Sequence, residues 1–281
     1  LYNKADHWHS KIPKIASFYW GSSKMSFLRY LAIRSFKKYN PSWSIHLYCP
    51  ENVSDRVTWR EHGDKHHRCD ETDYKGADNY LEKLLSEIPV KVIKVDFSKT
   101  FITEHASEPH KSDLLGWKVL SSMGGIWCDM DIIFFKPMTE LNISPDVDTL
   151  VCYDNRNPHA DGSPAAPIGF MGSLGGNAYF KNILLKSKKL FNRGADYQSI
   201  GCLAKKSVAN SFDEAESKFF KNTFHNLGGN PVYAIDHTRL SDLWEANCFE
   251  QIKDMGIGIH WYGGAPISQK YNNLINHENW R

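Results

Sequence analysis

The stretch Lys111–Phe135, KSDLLGWKVLSSMGGIWCDMDIIFF, is the most informative in the chain. Ser112–Met123 reads as a helix, and Gly124-Gly125 supplies the left-handed residue that ends it. The apolar run Ile126–Phe135 then reads as a strand interrupted by two aspartates, Asp129 and Asp131. Burying two carboxylates among Ile126-Trp127-Cys128 and Ile132-Ile133-Phe134-Phe135 costs several kcal/mol unless something compensates them. In an extended segment residues i and i+2 point to one side. Both carboxylates can therefore converge on one cation, and oxygen ligands of this kind suit Mg²⁺ or Mn²⁺.

Outward from this stretch, apolar runs alternate with helical patterns, as in an α/β domain. Lys14–Trp20 reads as the first strand, followed by a helix over Met25–Tyr39 that carries Lys37-Lys38 in its last turn and stops at Asn40-Pro41. Ser44–Cys49 and Val90–Phe97 read as strands, with Glu51–Glu87 as surface helix and loop between them. Beyond the aspartates the pattern predicts strands at Thr149–Tyr153, Ile168–Gly172, Pro231–Ile235 and Ile257–Tyr262. It predicts helices at Ala178–Asn192, Gln198–Val208 and Asp213–Phe224. No linker rich in Gly, Pro or Ser divides the chain. The expectation is one domain over residues 1–281 with a mixed, mostly parallel sheet flanked by helices.

Composition narrows the function. The 281 residues carry 34 Lys+Arg against 32 Asp+Glu, a formal charge of +2 that argues against a dedicated nucleic-acid binder. No apolar run approaches the ~18 residues of a membrane span. Leu1–Ser10 lacks the pattern of a signal peptide. The six cysteines form no CxxC pair and no disulfide framework, which favours a reducing, cytoplasmic setting, membrane-peripheral included. A secretory-lumen enzyme stripped of its anchor is the alternative. The cluster His62–Asp73 fits no standard zinc spacing and reads as a solvated loop.

Lys111–Asp131 resembles the signature of glycosyltransferases with a DXD sugar-binding region: Ser-Asp, a helix, Gly-Gly, a short aromatic strand, then Asp-x-Asp. That family includes initiating mannosyltransferases, capsular-polysaccharide enzymes and, more distantly, clostridial glucosylating toxins. Ile12–Gly21 is similar to the family's opening strand, Asn40-Pro41-Ser42-Trp43 to its "NP…W" turn, and Ala165–Phe180 to a later segment. The resemblance implies a GT-A fold, a UDP- or GDP-sugar donor, a divalent metal, a glycan or glycoconjugate acceptor and retention of anomeric configuration. It implies a nucleotide-binding half near 11–135 and an acceptor-side half near 136–281.

Site roles follow from the same resemblance. Asp131 binds metal and Asp129 metal or ribose, and His260, in a Gly258–Gly264 stretch similar to an "HxxG" element, is the third ligand or else a buried strand-end histidine. Trp20 stacks on the nucleobase or serves the core, with Phe18 and Tyr19 lining the same strand end. Asp113 accepts from ribose or sugar hydroxyls, complements its helix dipole, or does both. Gly263 and Gly264 can bring backbone N–H groups close to phosphates. Lys270 reaches the β-phosphate or is a solvated lysine. Gln198 polarises or positions groups near the anomeric carbon. Where the family has Arg this chain has Gly116, and Lys118 is its candidate substitute. Two rivals stand beside this reading. One is a nucleotide- or sugar-binding module without catalysis. The other is a DxD phosphatase of the haloacid dehalogenase type, which normally carries its motif at the first strand.

Overall fold

The computed structural model describes residues 8–21, 24–53, 74–102, 106–156, 158, 161–191, 199–229, 231–246, 252 and 254–279. Strand β1 (Ile15–Tyr19) leads to helix α1 (Phe27–Tyr39), whose first turn is capped by the Ser26 side chain accepting from the Arg29 amide. Strand β2 (Ser44–Pro50), helix α2 (Tyr80–Glu87) and strand β3 (Val90–Val95) follow. Helix α3 (Glu108–Ser122) then feeds β4 (Gly124–Cys128). Its start, at Ser107 with proline in the first turn, is earlier than the expected Ser112. Asp113 therefore lies in the second turn and does not cap the helix.

The large sheet has seven strands in the order β3-β2-β1-β4-β7-β6-β8, where β6 is Thr149–Val151, β7 Phe170–Leu174 and β8 Phe224–Asn226. The pairs β1–β2, β2–β3, β1–β4 and β6–β8 are parallel, and β7 runs antiparallel between β4 and β6. This is the mixed, mostly parallel sheet with flanking helices that the sequence predicts. Helices α4 (Ala178–Phe191), α5 (Cys202–Val208) and α6 (Phe212–Lys218) cover one side of its second half. Among the described residues, two large apolar cores form, one on each face, beside a small third cluster of Ile235, Ile252 and Ile259. Phe18 packs with Phe36 and Trp43 in one, and Tyr19 with Phe97 and Trp127 in the other, as alternation along β1 requires.

Three local expectations change. Ile126–Phe135 is two strands in two sheets: β4 ends at Cys128, and β5 (Ile132–Phe134) pairs antiparallel with β9 (Gly258–His260). Residues 129–131 are the turn that joins them. Pro231–Ile235 forms no ladder: Pro231 has no N–H to donate and the Tyr233 amide is spent on the Gly229 carbonyl in a turn. The Pro231 carbonyl and that of Val232 instead accept from Ile257, Gly258 and His260. The helix expected through Phe224 stops at Lys218, and Phe224 opens the three-residue edge strand β8. Helices α7 (Leu240–Trp244) and α8 (Pro266–Leu274) complete the described chain. None of the described helices is long and apolar enough to cross a membrane.

Candidate metal centre

The joint between the two sheets places the carboxylates. The Asp129 amide donates to Gly169 at 2.8 Å, and the Asp131 carbonyl accepts from Trp261 at 2.9 Å, so both backbones are pinned by neighbouring strands. β9 pairs Ile132 with His260, which brings the imidazole beside the turn. Ligand atoms of Asp129, Asp131 and His260 lie within 4.8 Å of one another. Convergence thus comes from the turn and the β5–β9 pairing, rather than from the pleat of one continuous strand.

Asp131 is 9% exposed and carries most of the local hydrogen bonding. Its Oδ1 lies 3.1 Å from His260 Nε2, its Oδ2 accepts from the Gly263 amide at 2.7 Å, and Arg29 Nη1 stands 3.9 Å from Oδ2. Burial would raise its pKa, but His260, Arg29 and the Gly263 amide together hold it well below the usual carboxylate range. Asp129 behaves in the opposite way. Burial first, and then the Asp131 charge, push it up to about 6, against the opposing pull of His260, Arg29 and a hydrogen bond from Trp127. Two acids in one buried site whose pKa values are pushed apart make this cluster a candidate functional centre.

The donor set fits a divalent cation. The Tyr262 amide donates to His260 Nδ1 at 3.2 Å. That contact puts the proton of a neutral imidazole on Nε2, facing Asp131. A cation would take the place of that proton, with two carboxylate oxygens and one imidazole nitrogen as ligands, a set suited to a first-row ion such as Mn²⁺.

Several residues around the cluster carry no strong sequence signal. Arg29, 4% exposed on α1, lies 4.8 Å above Trp261 and 5.9 Å from Trp20. Its charge sits within the apolar run Phe27–Leu31, which is the one hint the sequence holds. A Cβ at Gly263 would stand 2.3 Å from Arg29 Nη2, so a side chain there would displace the guanidinium. Tyr262 has φ 50, a rare conformation for a large residue, and packs edge-on to His260 at 4.2 Å. Burial, then the charges of Asp236 and Asp131, raise its phenol pKa. Nearby, Arg156 pairs with Asp154 at 2.7 Å and donates to the Tyr233 carbonyl at 2.9 Å. Among the described residues, Trp20 Nε1, Trp261 Nε1 and the Tyr233 hydroxyl are buried without hydrogen-bond partners.

Other candidates fall elsewhere. Phe18 is fully buried and packs edge-on to Phe36 at 6.1 Å, so it serves the core. Trp20, 1% exposed, offers no open face for a base and walls the charged cluster instead. Tyr19 donates to Glu108 at 2.5 Å, and Glu108 pairs with Lys111 at 2.8 Å. Asp113 is partly accessible, and a Cβ on Gly201 would lie 2.4 Å from its carboxylate. Lys118 is exposed, five residues on from Asp113 and so about 140° around the helix from it. Gly116 lies against Trp127: a Cβ there would stand 3.2 Å from the ring, so the indole would have to give way by a few tenths of an ångström. Gly264 is partly accessible beside Gly263, whose amide is already engaged by Asp131. Lys270 is exposed on α8, 5.2 Å from the Tyr271 ring. Gln198 and the His62–Asp73 cluster lie outside the described residues.

Residues 26–148 match the family described as "Glycosyltransferase sugar-binding region containing DXD motif". Solved structures of related shape include a PaToxG glycosyltransferase, with TM-score 0.49 and 16% identity over 94% of this chain and 87% of that one. The galactosyltransferase LgtC, in complex with donor and acceptor sugar analogs, aligns with TM-score 0.44 and 12% identity over 94% and 98%. The glycosyltransferase GlyE of Streptococcus pneumoniae aligns with TM-score 0.47 and 10% identity over 94% and 61%. No curated protein matches the sequence.

Proposed function

Since residues 26–148 match the glycosyltransferase sugar-binding region of the DXD type, we propose that the chain is a cation-dependent, retaining hexosyltransferase of the GT-A kind. On this reading it moves a sugar from UDP or GDP to a glycan or glycoconjugate. The observation that carries the reading is the buried Asp129–Asp131–His260 cluster, with ligand atoms within 4.8 Å. When bound, a divalent ion supplies Lewis-acid neutralisation of the departing diphosphate, worth several kcal/mol.

The chain's own residues do the holding. Asp131 and His260 grip the ion, kept in line by Gly263 and Tyr262. Asp129 ligates the ion or takes a ribose hydroxyl, and Asp113 takes a ribose or sugar hydroxyl. Arg29 adds a permanent positive charge beside the site, and the Gly264 amide is the backbone donor left for a phosphate oxygen. Gln198 is assigned to the neighbourhood of the anomeric carbon. Residues 11–135 serve the nucleotide. Residues 136–281, with Asp154, Arg156, Asp236 and Tyr262 near the cluster, serve the acceptor.

The test is a thermal-shift series with UDP, GDP, UDP-glucose and GDP-mannose, with and without Mn²⁺, beside an assay for sugar released from each donor. Stabilisation that needs both ion and nucleotide, lost in D131A, is the expected result. Equal binding in D131A refutes the site. Binding without any turnover or donor hydrolysis leaves a module without catalysis, and phosphate release from simple phosphomonoesters would favour the phosphatase.

A further inference from the structure

Tyr233 stands out among the residues the mechanism has not used. It is 6% exposed, and its hydroxyl has no hydrogen-bond partner. An unsatisfied buried hydroxyl costs free energy, and one retained in a native structure calls for a state in which it is satisfied. The residue is firmly held. Its amide donates to the Gly229 carbonyl at 2.7 Å, and its carbonyl accepts from Arg156 at 2.9 Å. Its ring lies against His260, with centroids 5.1 Å apart.

Gly169 shows where the hydroxyl is aimed. A Cβ at that position would lie 2.3 Å from Asp129 Oδ2 and 2.8 Å from the Tyr233 hydroxyl. Both oxygens therefore border a single notch, open because residue 169 has no side chain. The same glycine's carbonyl holds the Asp129 amide. Tyr233 thus touches one candidate ligand with its ring and faces another with its hydroxyl.

We propose that Tyr233 is a positioning residue for the cation site: when Asp129 turns one carboxylate oxygen onto the ion, the Tyr233 hydroxyl donates to the other oxygen across the Gly169 notch. The ring meanwhile keeps His260 in line. This inference rests on the cation reading above and adds to it the group that orients Asp129. Partners of this kind, standing behind metal ligands, fix ligand orientation and tune affinity.

The experiment titrates the full chain with MnCl₂ alone by calorimetry, for wild type, Y233F and G169A, and melts each protein without metal. Y233F is expected to bind Mn²⁺ roughly 10–100-fold more weakly. It should melt no lower than wild type, because the unpaired hydroxyl is gone. G169A keeps the hydroxyl but fills the notch, and should lose affinity too. Full affinity in either variant overturns the proposal. So does an affinity loss in Y233F that comes with a lowered Tm, which would mark Tyr233 as structural. A wild-type chain that binds no Mn²⁺ removes the cation reading and this inference together. A wild type that binds beside an unaffected Y233F removes the inference alone.

Discussion

Two buried charged clusters lie near the sheet, and they are built on different principles. At the end of β1, Glu108 and Lys111 are each 1% exposed, paired at 2.8 Å, with the Tyr19 hydroxyl donating to the same carboxylate. One acid meets one base, and the remaining oxygen is satisfied. At the β4–β5 joint, two acids face one permanent cation, Arg29, and that cation stands 3.9 Å from only one of them. The pKa of the second acid is raised to about 6 by burial and then by the Asp131 charge, and an unsatisfied phenol stands across a notch from it. A balanced cluster needs nothing further. An unbalanced one is complete only when something positive arrives, which is why the second is read as a ligand site and the first as structure.

The strongest way to break that contrast is to remove one acid from each. D131A should abolish Mn²⁺-dependent nucleotide binding and lower turnover by about three orders of magnitude, the scale lost with one major electrostatic contributor to a transition state. Its Tm without metal should fall as well, because Arg29 and the Gly263 amide lose their carboxylate, so cation binding is the readout that separates the clusters. E108Q should spare that binding. It leaves Lys111 charged and unpaired in the interior, a defect of about 3–5 kcal/mol, so Tm should fall by roughly 10 °C while Mn²⁺ affinity in the folded protein is retained. If E108Q weakens cation binding as much as D131A does, the division fails.

A milder test uses pH. Binding an ion needs Asp129 ionised, so Mn²⁺ affinity should climb about tenfold per pH unit below its pKa and level off above it. The break should fall near pH 6. The metal-free fold should show the opposite trend. Because the Asp129 carboxyl is raised in the folded chain, its proton is held more tightly there than in the unfolded chain. Its contribution to stability is then lost as pH rises from about 4, its unfolded value, to about 6. D129N should accordingly raise the metal-free Tm at pH 7.5 by a few degrees and leave it unchanged at pH 4.5. With Mn²⁺ present the order of the two proteins should reverse. A flat affinity profile between pH 5 and 7 would place the ion elsewhere.

Much of this architecture is legible in the residues, for physical reasons. The helix, the glycine pair and the apolar strand before Asp129 are local patterns with strong periodicity, and these elements form, although the helix begins four residues earlier than expected and the strand ends at Cys128. The pairing of β5 with β9 is not legible, since it joins residues far apart in the chain through three-residue strands. It is this pairing that delivers His260. Arg29 and Tyr233 are hidden for a related reason: each sits in an apolar segment, and only tertiary packing turns it toward the carboxylates. Trp20 shows the converse, because a strand-end tryptophan followed by glycine looks open in sequence, whereas it is 1% exposed and lies 5.9 Å from Arg29 of α1.

The smallest expected effect concerns Trp127, whose ring lies against Gly116 and whose indole donates to Asp129. It supplies one polar contact to the acid whose carboxyl burial raises. W127F keeps most of the ring and deletes the N–H. With that donor gone, the Asp129 carboxylate is favoured less, and the pH at which Mn²⁺ affinity levels off should move upward by a fraction of a unit. Tm should fall by a few degrees at most, since the ring still fills the space beside Gly116. The comparison sharpens if G116A, which crowds the same ring from behind, moves the pH break in the same direction. A break that stays in place in W127F would leave burial and Asp131 alone to account for the raised carboxyl.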